Sequence, residues 1–386
     1  MRYLNRFTLA VVFSTGTLTV MAGAIIAPVL NVMRAGLGVD PARAGLIITT
    51  HSIFIAVLSP FVGVAIDRVG IRRLFILALV VYAAAGGSGL VIDSFWPLVA
   101  SRAVLGLAAS VLFISNTVLI LNVFSGDRRN QVMGWRGSAN ALGAVAWPLV
   151  GGALGSVSWH LPFAVYLVGL PLAGVALFTI PEAHYQEAEN QAEKDSVLEI
   201  FRSAPVLVAI YGLIFLSSLL LYSLVVFGPP LLEGIGITSP FGIGLFIAVM
   251  GAASGLTSFR YGRIKRRLSY RRLILLSLAL WTAGFLTLGR TGNTALIAVS
   301  LALFGIGQGM VSPACMVWVG EVSPMAFRGR ISSLLGTFGF IGQFAAPVFF
   351  APVVLRAGPQ GVFTAAGAVC MALLVVLAAA RSRYRS

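Results

Sequence analysis

Long apolar runs separated by short polar segments make up most of this sequence. About 17–25 apolar residues span a bilayer as a helix, and twelve runs reach or exceed that length. We therefore predict an all-α membrane protein with twelve transmembrane helices. The predicted helices cover residues 7–33, 44–64, 74–92, 96–124, 133–155, 159–180, 205–229, 239–259, 273–289, 293–319, 330–353 and 360–380.

The longest polar segment divides these runs into two sets of six. It begins at Pro181 and carries several acidic residues, Glu182 and Asp195 among them. This pattern predicts an N-terminal six-helix bundle over 1–180, a cytoplasmic linker over 181–204 and a C-terminal six-helix bundle over 205–386.

The composition supports a lipid environment. Apolar residues make up 58% of the chain and charged residues 10%, against roughly 25% charged in soluble domains. The net charge of +15 could suggest nucleic acid. However, the basic residues lie in short runs between apolar stretches and form no basic face with stacking aromatics, so we exclude that partner. Cys315 and Cys370 lack metal-ligand spacing, and we expect no metal and no cofactor.

The basic residues also predict the orientation. Loops on one side hold only four of the 27 Lys and Arg, namely Arg34, Arg43, Arg290 and Arg356. Apart from Arg102 inside a helix, the others fall on the opposite side. Because basic loops stay in the cytoplasm, we predict a multi-pass protein of the inner or plasma membrane with both termini cytoplasmic.

The two halves repeat each other at a shift of 199 residues. The segment from Gly63 to Leu74 recurs from Gly262 to Leu273, with Gly, Arg, Arg-Arg and Leu in register. The same shift relates Gly106 to Gly305, Arg129 to Arg328, Gly143 to Gly342 and Pro148 to Pro347. Six helices repeated in one orientation imply two halves related by an axis along the membrane normal.

The segment between the second and third helices carries a glycine- and charge-rich pattern. Its residues are Gly63, Asp67, Arg68, Gly70, Arg72 and Arg73. They resemble the cytoplasmic-loop motif of the major facilitator superfamily, and the resemblance covers essentially the whole chain. It implies that this loop is a conformational latch between the halves. Arg266 replaces the acid in the second copy, so the latch is expected to be asymmetric.

Arg102 and Gly106 in the fourth helix resemble a second motif of this family, whose arginine is tied to proton movement. The resemblance implies a coupling role for Arg102. The alternative is that Arg102, which lies near one end of its helix, reaches outward and anchors that helix at the membrane surface.

The fifth helix resembles the antiporter signature of the family's exporters. The matching residues are Gly143, Pro148, Gly151 and Gly152. Trp147 stands where the family usually has glycine, which departs from the pattern and suggests that its ring lines the cavity instead.

Polar and aromatic residues within the helices are the candidates for the substrate cavity, because such transporters bind near the midplane between the halves. They are Asn116, Asn140, Trp147, Tyr222, Gln308 and Gln343. Arg136 shares one helical stripe with Asn140 and Trp147. The alternative for each amide is that it only joins helices. The cavity is expected to be largely neutral and aromatic, which favours hydrophobic compounds.

His51 is the candidate for proton coupling, with Arg102 as its electrostatic partner. No Asp or Glu lies in the middle of a predicted helix, and histidine has an ordinary pKa of about 6.5. The alternative is a packed, neutral histidine.

These features predict a secondary active transporter that works by alternating access and exports small amphipathic or hydrophobic compounds by proton antiport. The alternative is an uptake symporter or a facilitator of a small neutral solute. An enzyme is disfavoured, because the three histidines fall in different regions and no paired carboxylates lie in the membrane. A sensor or scaffold on the same fold is a third class. The expected partners are the lipid bilayer, a small-molecule substrate and protons, and we expect a monomer.

Overall fold

The structure, a computed structural model, describes residues 6–123, 126–180, 205–323 and 328–379. Helices make up almost all of these residues. Two short elements lie between the spans, a 3-10 turn at Ser88–Leu90 and an α-helix at Tyr261–Lys265, and the others are the spanning helices. In chain order they are α1 (Arg6–Ala24 and Leu30–Leu37, joined by a 3-10 turn at Ala27–Val29), α2 (Pro41–Val69), α3 (Ile71–Gly87), α4 (Phe95–Val123), α5 (Gly126–Gly155), α6 (Leu161–Ala164 and Gly169–Thr179, joined by a 3-10 turn at Val165–Val168), α7 (Pro205–Gly234), α8 (Pro240–Phe259), α9 (Tyr270–Leu288), α10 (Thr294–Val322), and α11 and α12, which share Arg328–Ala379 and are separated at Gly358.

Twelve spans can be traced in the described part of the chain. Nine helical stretches are long and apolar enough to cross a membrane. The helices α2 and α5, with 29 and 30 residues, are also long enough at about 1.5 Å per residue. The stretch shared by α11 and α12 holds two spans, because Gly358 has a non-helical φ of 66°. The prediction of twelve transmembrane helices in two bundles is confirmed.

Some of the predicted helix boundaries are wrong. The first span is interrupted after Ala24 at the turn that contains Pro28, because proline removes a backbone donor and breaks the helical hydrogen-bond pattern. The fifth helix begins at Gly126 rather than 133, and the seventh ends at Gly234 rather than 229. Hydropathy locates the part of a helix in lipid, whereas the helical hydrogen bonds continue beyond it. The predicted linker, 181–204, lies outside the described residues.

Equivalent contacts in the two halves reproduce the 199-residue repeat. A Cβ at Gly106 would lie 2.4 Å from the carbonyl oxygen of His51, and a Cβ at Gly305 would lie 2.4 Å from that of Met250. Gly305 lies 199 residues after Gly106, and Met250 lies 199 residues after His51. The close crossing of α2 with α4 is therefore repeated between α8 and α10, where only glycine lets the backbones approach so closely.

Arginines at one end of the bundle follow the same repeat. Arg72 donates a hydrogen bond to the carbonyl oxygen of Leu177 in α6. Its counterpart Arg271 donates to the carbonyl oxygens of Leu377 and Ala378 in α12, at 3.0 and 3.1 Å. Each arginine thus stabilises the carboxyl end of a helix in its own half, where the helix dipole favours a positive charge. We call this the Arg72 end of the bundle.

The two halves meet at two symmetric glycine–proline crossings. A Cβ at Gly45 in α2 would lie 2.8 Å from Cβ of Pro347 in α11. A Cβ at Gly244 in α8 would lie 2.5 Å from the carbonyl oxygen of Pro148 in α5. The shift of 199 converts one crossing into the other. Both lie toward the end of the bundle where α1 finishes and α2 begins, which we call the Arg34 end.

The joint between α2 and α3 yields a prediction about Gly70. Its φ of 91° is rarely adopted by residues with a side chain, whereas a Cβ at Gly63 would meet no atom within 4 Å. We expect Gly70→Ala to lower the free energy of unfolding by about 1–3 kcal/mol, and Gly63→Ala to leave it unchanged or slightly raised. Thermal unfolding of the purified variants checks this, and equal unfolding midpoints would contradict it.

Candidate substrate and coupling site

Polar side chains from both halves meet near the middle of the bundle. Ser52 in α2 donates a 2.8 Å hydrogen bond to Oε1 of Gln343 in α11, and the hydroxyl of Tyr222 in α7 lies beside Ser52. Gly23 in α1 leaves room for this contact, because a Cβ there would lie 3.2 Å from Oη of Tyr222 and 3.3 Å from Cε1 of His51. We call His51, Ser52, Tyr222 and Gln343 the His51 cluster.

The His51 cluster makes the two inter-half seams chemically different. The shift of 199 carries Ser52 and Gln343 to Gly251 and Ala144, and a Cβ at Gly251 would lie 2.9 Å from the carbonyl oxygen of Ala144. One seam is therefore joined by side-chain hydrogen bonding and the other by close backbone packing. Among the described residues of the two seams, the titratable imidazole of His51 belongs to the polar one.

His51 itself is fully buried at this seam. Its exposed fraction is 0%, its Nε2 lies 3.4 Å from the hydroxyl of Ser52, and its Nδ1 has no hydrogen-bond partner among the described residues. The structure thus brings His51 together with two of the predicted cavity residues, Tyr222 and Gln343. A pairing of His51 with Arg102 stays a prediction.

Arg102 does not reach the membrane surface. It is 0% exposed, and its Nη2 donates to the carbonyl oxygens of Ala85 and Gly86 at 2.8 and 3.1 Å. These carbonyls belong to the last turn of α3, whose oxygens lack donors within the helix. The rings of Phe163 and Tyr166 lie 5.1 and 5.2 Å from the guanidinium. The alternative of anchoring at the surface is therefore wrong, because α3 and α6 enclose the charge.

A second polar group lies where α1, α4 and α5 meet. Nη1 of Arg136 donates to the hydroxyl of Thr117 at 2.7 Å, and the hydroxyl of Thr15 donates to Oδ1 of Asn116 at 3.1 Å. Asn140 lies one turn from Arg136, and a Cβ at Gly16 would be 3.5 Å from its Oδ1. We call Thr15, Asn116, Thr117, Arg136 and Asn140 the Arg136 cluster.

The other two predicted cavity residues lie apart from these clusters. Gln308 in α10 accepts a 2.6 Å hydrogen bond from the hydroxyl of Ser217 in α7, within one half. Trp147 lines a pocket of about 430 Å³ between α1, α5 and α6. Leu142 in the same wall is 71% exposed, so this pocket is open at the protein surface. A role of Trp147 in the central cavity stays a prediction.

The glycines of the fifth helix face two different neighbours. A Cβ at Gly143 would lie 3.3 Å from Cβ of Thr17, and one at Gly151 would lie 1.9 Å from the carbonyl oxygen of Ile25, so both pack on α1. A Cβ at Gly152 would lie 2.6 Å from the carbonyl oxygen of Pro240 in the other half. In this structure the signature serves close helix packing on both sides of α5.

The latch residues are only partly described. Arg68 and Arg73 are exposed at the Arg72 end, Arg72 is half-buried, and the side chain of Asp67 lies outside what the structure describes. A latch between the halves stays a prediction.

Sequence reasoning missed a polar contact at the Arg34 end. Nη2 of Arg34 lies 3.1 Å from Oε2 of Glu233, and Nδ2 of Asn31 donates to the carbonyl oxygen of Pro229 at 2.7 Å. These bonds join α1 to α7 across the halves. The repeat could have predicted this ion pair, because Arg34 and Glu233 are 199 residues apart and opposite in charge.

This architecture defines a class of protein: a helical membrane transporter in which two repeated six-helix halves meet around buried polar residues. The chain belongs to the Major Facilitator Superfamily, whose model matches residues 12–269 and 212–385. It is therefore a multi-pass transporter of a small-molecule substrate and not an enzyme.

Similar proteins support this assignment. The multi-drug resistance efflux pump PmrA of Streptococcus pneumoniae is 24% identical over 362 residues, covering 90% of this chain and 89% of that protein. The multidrug resistance protein MdtG of Serratia proteamaculans is 26% identical over 380 residues, covering 93% and 89%. Such bacterial relatives place the chain in the plasma membrane.

Solved structures share the fold. A bacterial homologue of the human lysosomal transporter Spinster, in an inward-facing and unoccupied conformation, superposes with a TM-score of 0.76 at 15% identity, covering 98% of this chain and 95% of that one.

Proposed function

We propose that this protein exports small amphipathic or hydrophobic compounds in exchange for protons, by alternating access. The similarity to bacterial efflux pumps supports export. We also propose that the chain divides into bundles over 1–180 and 205–386, is a monomer and has both termini in the cytoplasm. The arginines at the Arg72 end favour that orientation.

The observation that carries proton coupling is the position of His51. It is buried beside the Ser52–Gln343 bond that joins the halves, and no described carboxylate lies in its cluster. A proton on the imidazole adds a charge and a donor next to that bond. Protonation therefore changes the free energy of the closed contact, which is what coupling requires.

The experiment is transport by the full chain in proteoliposomes. A pH gradient imposed across the membrane should drive uptake or release of some members of a panel of amphipathic dyes. If no dye moves in response to the gradient, while counterflow of the same dyes continues, the antiport proposal is wrong and facilitation takes its place.

His51→Asn tests the coupling residue. We expect gradient-driven dye accumulation to fall at least about tenfold, which corresponds to roughly 1.4 kcal/mol, while counterflow without a gradient continues. The reason is that asparagine keeps polarity and approximate size but binds no proton near neutral pH.

His160→Asn is the matched control, because it also removes an imidazole. His160 pairs with Asp93 at 2.8 Å away from the His51 cluster, and we expect its replacement to leave coupling intact. Full gradient-driven accumulation in His51→Asn would remove His51 from the mechanism.

A further inference from the structure

The Arg136 cluster carries a buried positive charge that the described residues do not neutralise. Arg136 is 8% exposed, and its hydrogen bond among the described residues is the one to Thr117. No described carboxylate pairs with it. The ring of Phe113, 5.3 Å from the guanidinium, compensates only part of the charge. An arginine has five N–H donors, and leaving a buried charge unpaired is costly.

A second donor in the cluster also lacks an acceptor. Asn116 is 0% exposed. Its Oδ1 lies 3.1 Å from the hydroxyl of Thr15, which also bonds the carbonyl oxygen of Val11 at 2.7 Å. Its Nδ2 has no hydrogen-bond partner among the described residues. The unpaired atom of Asn140 is Oδ1, an acceptor, so it is not part of the argument for an anion and would receive a donor group of a ligand. The unpaired amide nitrogen of Asn116 beside an unpaired cation points to a missing anion.

Arg102 offers a contrast within the same half. It is enclosed by two carbonyl oxygens of α3 and two aromatic rings of α6. A ligand could reach it only by displacing those rings. Around Arg136, by comparison, Phe113, Thr117 and Asn140 are each partly exposed.

The cluster also lies at the boundary between the halves. Phe113, which covers the Arg136 guanidinium, packs edge-to-face on Phe340 in α11 with ring centroids 5.5 Å apart. An anion bound to Arg136 would therefore sit beside an inter-half contact, with aromatic rings available for an apolar body.

We propose that the Arg136 cluster is the anion-binding part of the substrate site, so the transported compounds are amphipathic and carry a carboxylate or a similar acidic group. This rests on the proposed transport function, and it replaces the expectation of a neutral cavity. Arg136 and Asn116 would donate to the acidic group, and Phe113 and Phe340 would contact the apolar part.

The test is equilibrium binding to the purified full chain, with 2-naphthylacetate and its neutral isostere 2-naphthylacetamide as probes. We expect the wild type to bind the carboxylate at least about tenfold more tightly than the amide, since one charge-assisted hydrogen bond suffices for that ratio. Arg136→Gln should abolish the preference, and Arg136→Lys should keep part of it. Arg290→Gln, which removes an exposed arginine, should keep all of it.

Equal affinities for the two probes in the wild type would overturn the proposal, as would a tenfold preference that persists in Arg136→Gln. Asn116→Asp gives a second variant of the same shape, in case Arg136→Gln does not fold. It should weaken carboxylate binding at least about tenfold and leave amide binding unchanged. Binding needs no gradient, so failure of proton antiport would show in the flux assay and not here.

Discussion

Gly244→Leu is expected to reduce transport by roughly 5- to 150-fold, because it wedges apart the α5–α8 crossing. A Cβ at Gly244 would lie 2.5 Å from the carbonyl oxygen of Pro148, and a backbone atom cannot rotate away. Inserting a side chain into such packing costs about 1–3 kcal/mol. That cost falls on the state in which the Arg34 end is closed, and a transporter needs this state in every cycle. Initial rates of dye transport in proteoliposomes measure the effect.

Gly174→Leu is the control for this wedge. It places the same side chain in α6, where a Cβ would meet no atom within 4 Å, and transport should be unchanged. Wild-type rates in Gly244→Leu would show that this crossing does not close during transport. Gly45→Leu should have a comparable effect, because a Cβ there would lie 2.7 Å from Cγ1 of the buried Val226 and 2.8 Å from Cβ of Pro347, and neither atom belongs to a flexible side chain.

Arg102→Leu is expected to lower the free energy of unfolding by about 1–3 kcal/mol. The change removes the donor that the carbonyl oxygens of Ala85 and Gly86 share. Ala85 keeps a 2.8 Å hydrogen bond from the hydroxyl of Ser88, so the loss falls mainly on the buried carbonyl of Gly86. It also removes the charge packed on Phe163 and Tyr166. Thermal or denaturant unfolding of the purified protein measures the loss.

Arg290→Leu is the matched control for Arg102→Leu, since Arg290 is exposed. We expect its effect to stay within about 0.5 kcal/mol. An Arg102→Leu protein as stable as the wild type would mean that the buried charge does not contribute to packing α3, α4 and α6 together.

The fold could be predicted because lipid imposes a simple rule on the sequence. Each span must be apolar and helical, so hydropathy located the helices, and the 199-residue shift located the halves. The paired glycines Gly106 and Gly305 lie at equivalent helix crossings in the structure, because glycines recur where backbones cross. Helix ends such as Gly126 were misplaced, since helical hydrogen bonds continue outside the apolar region.

The site could be predicted only in part. Polarity in an apolar helix selected His51, Tyr222 and Gln343, which lie together in the structure, and their functional roles stay predictions. Polarity in the sequence could not show which helix each side chain packs against, because residues on one helical stripe can face two different neighbouring helices. Arg136 and Trp147 share a stripe on α5, yet one lies in the polar cluster with α4 and the other lines a pocket with α6. Residue spacing alone does not distinguish these surroundings.

Alternating access, as proposed above, requires the Arg34 end to close and open in each transport cycle. The most direct test replaces Arg34 and Glu233, whose charged atoms lie 3.1 Å apart, by cysteine and joins them with a short, reducible bifunctional thiol reagent. Native Cys315 and Cys370 are 0% exposed, so the new thiols react selectively, and single-cysteine variants control for modification. We expect cross-linking to stop dye transport and reduction to restore it. Transport at the unmodified rate by fully cross-linked protein would show that the Arg34 end does not need to open.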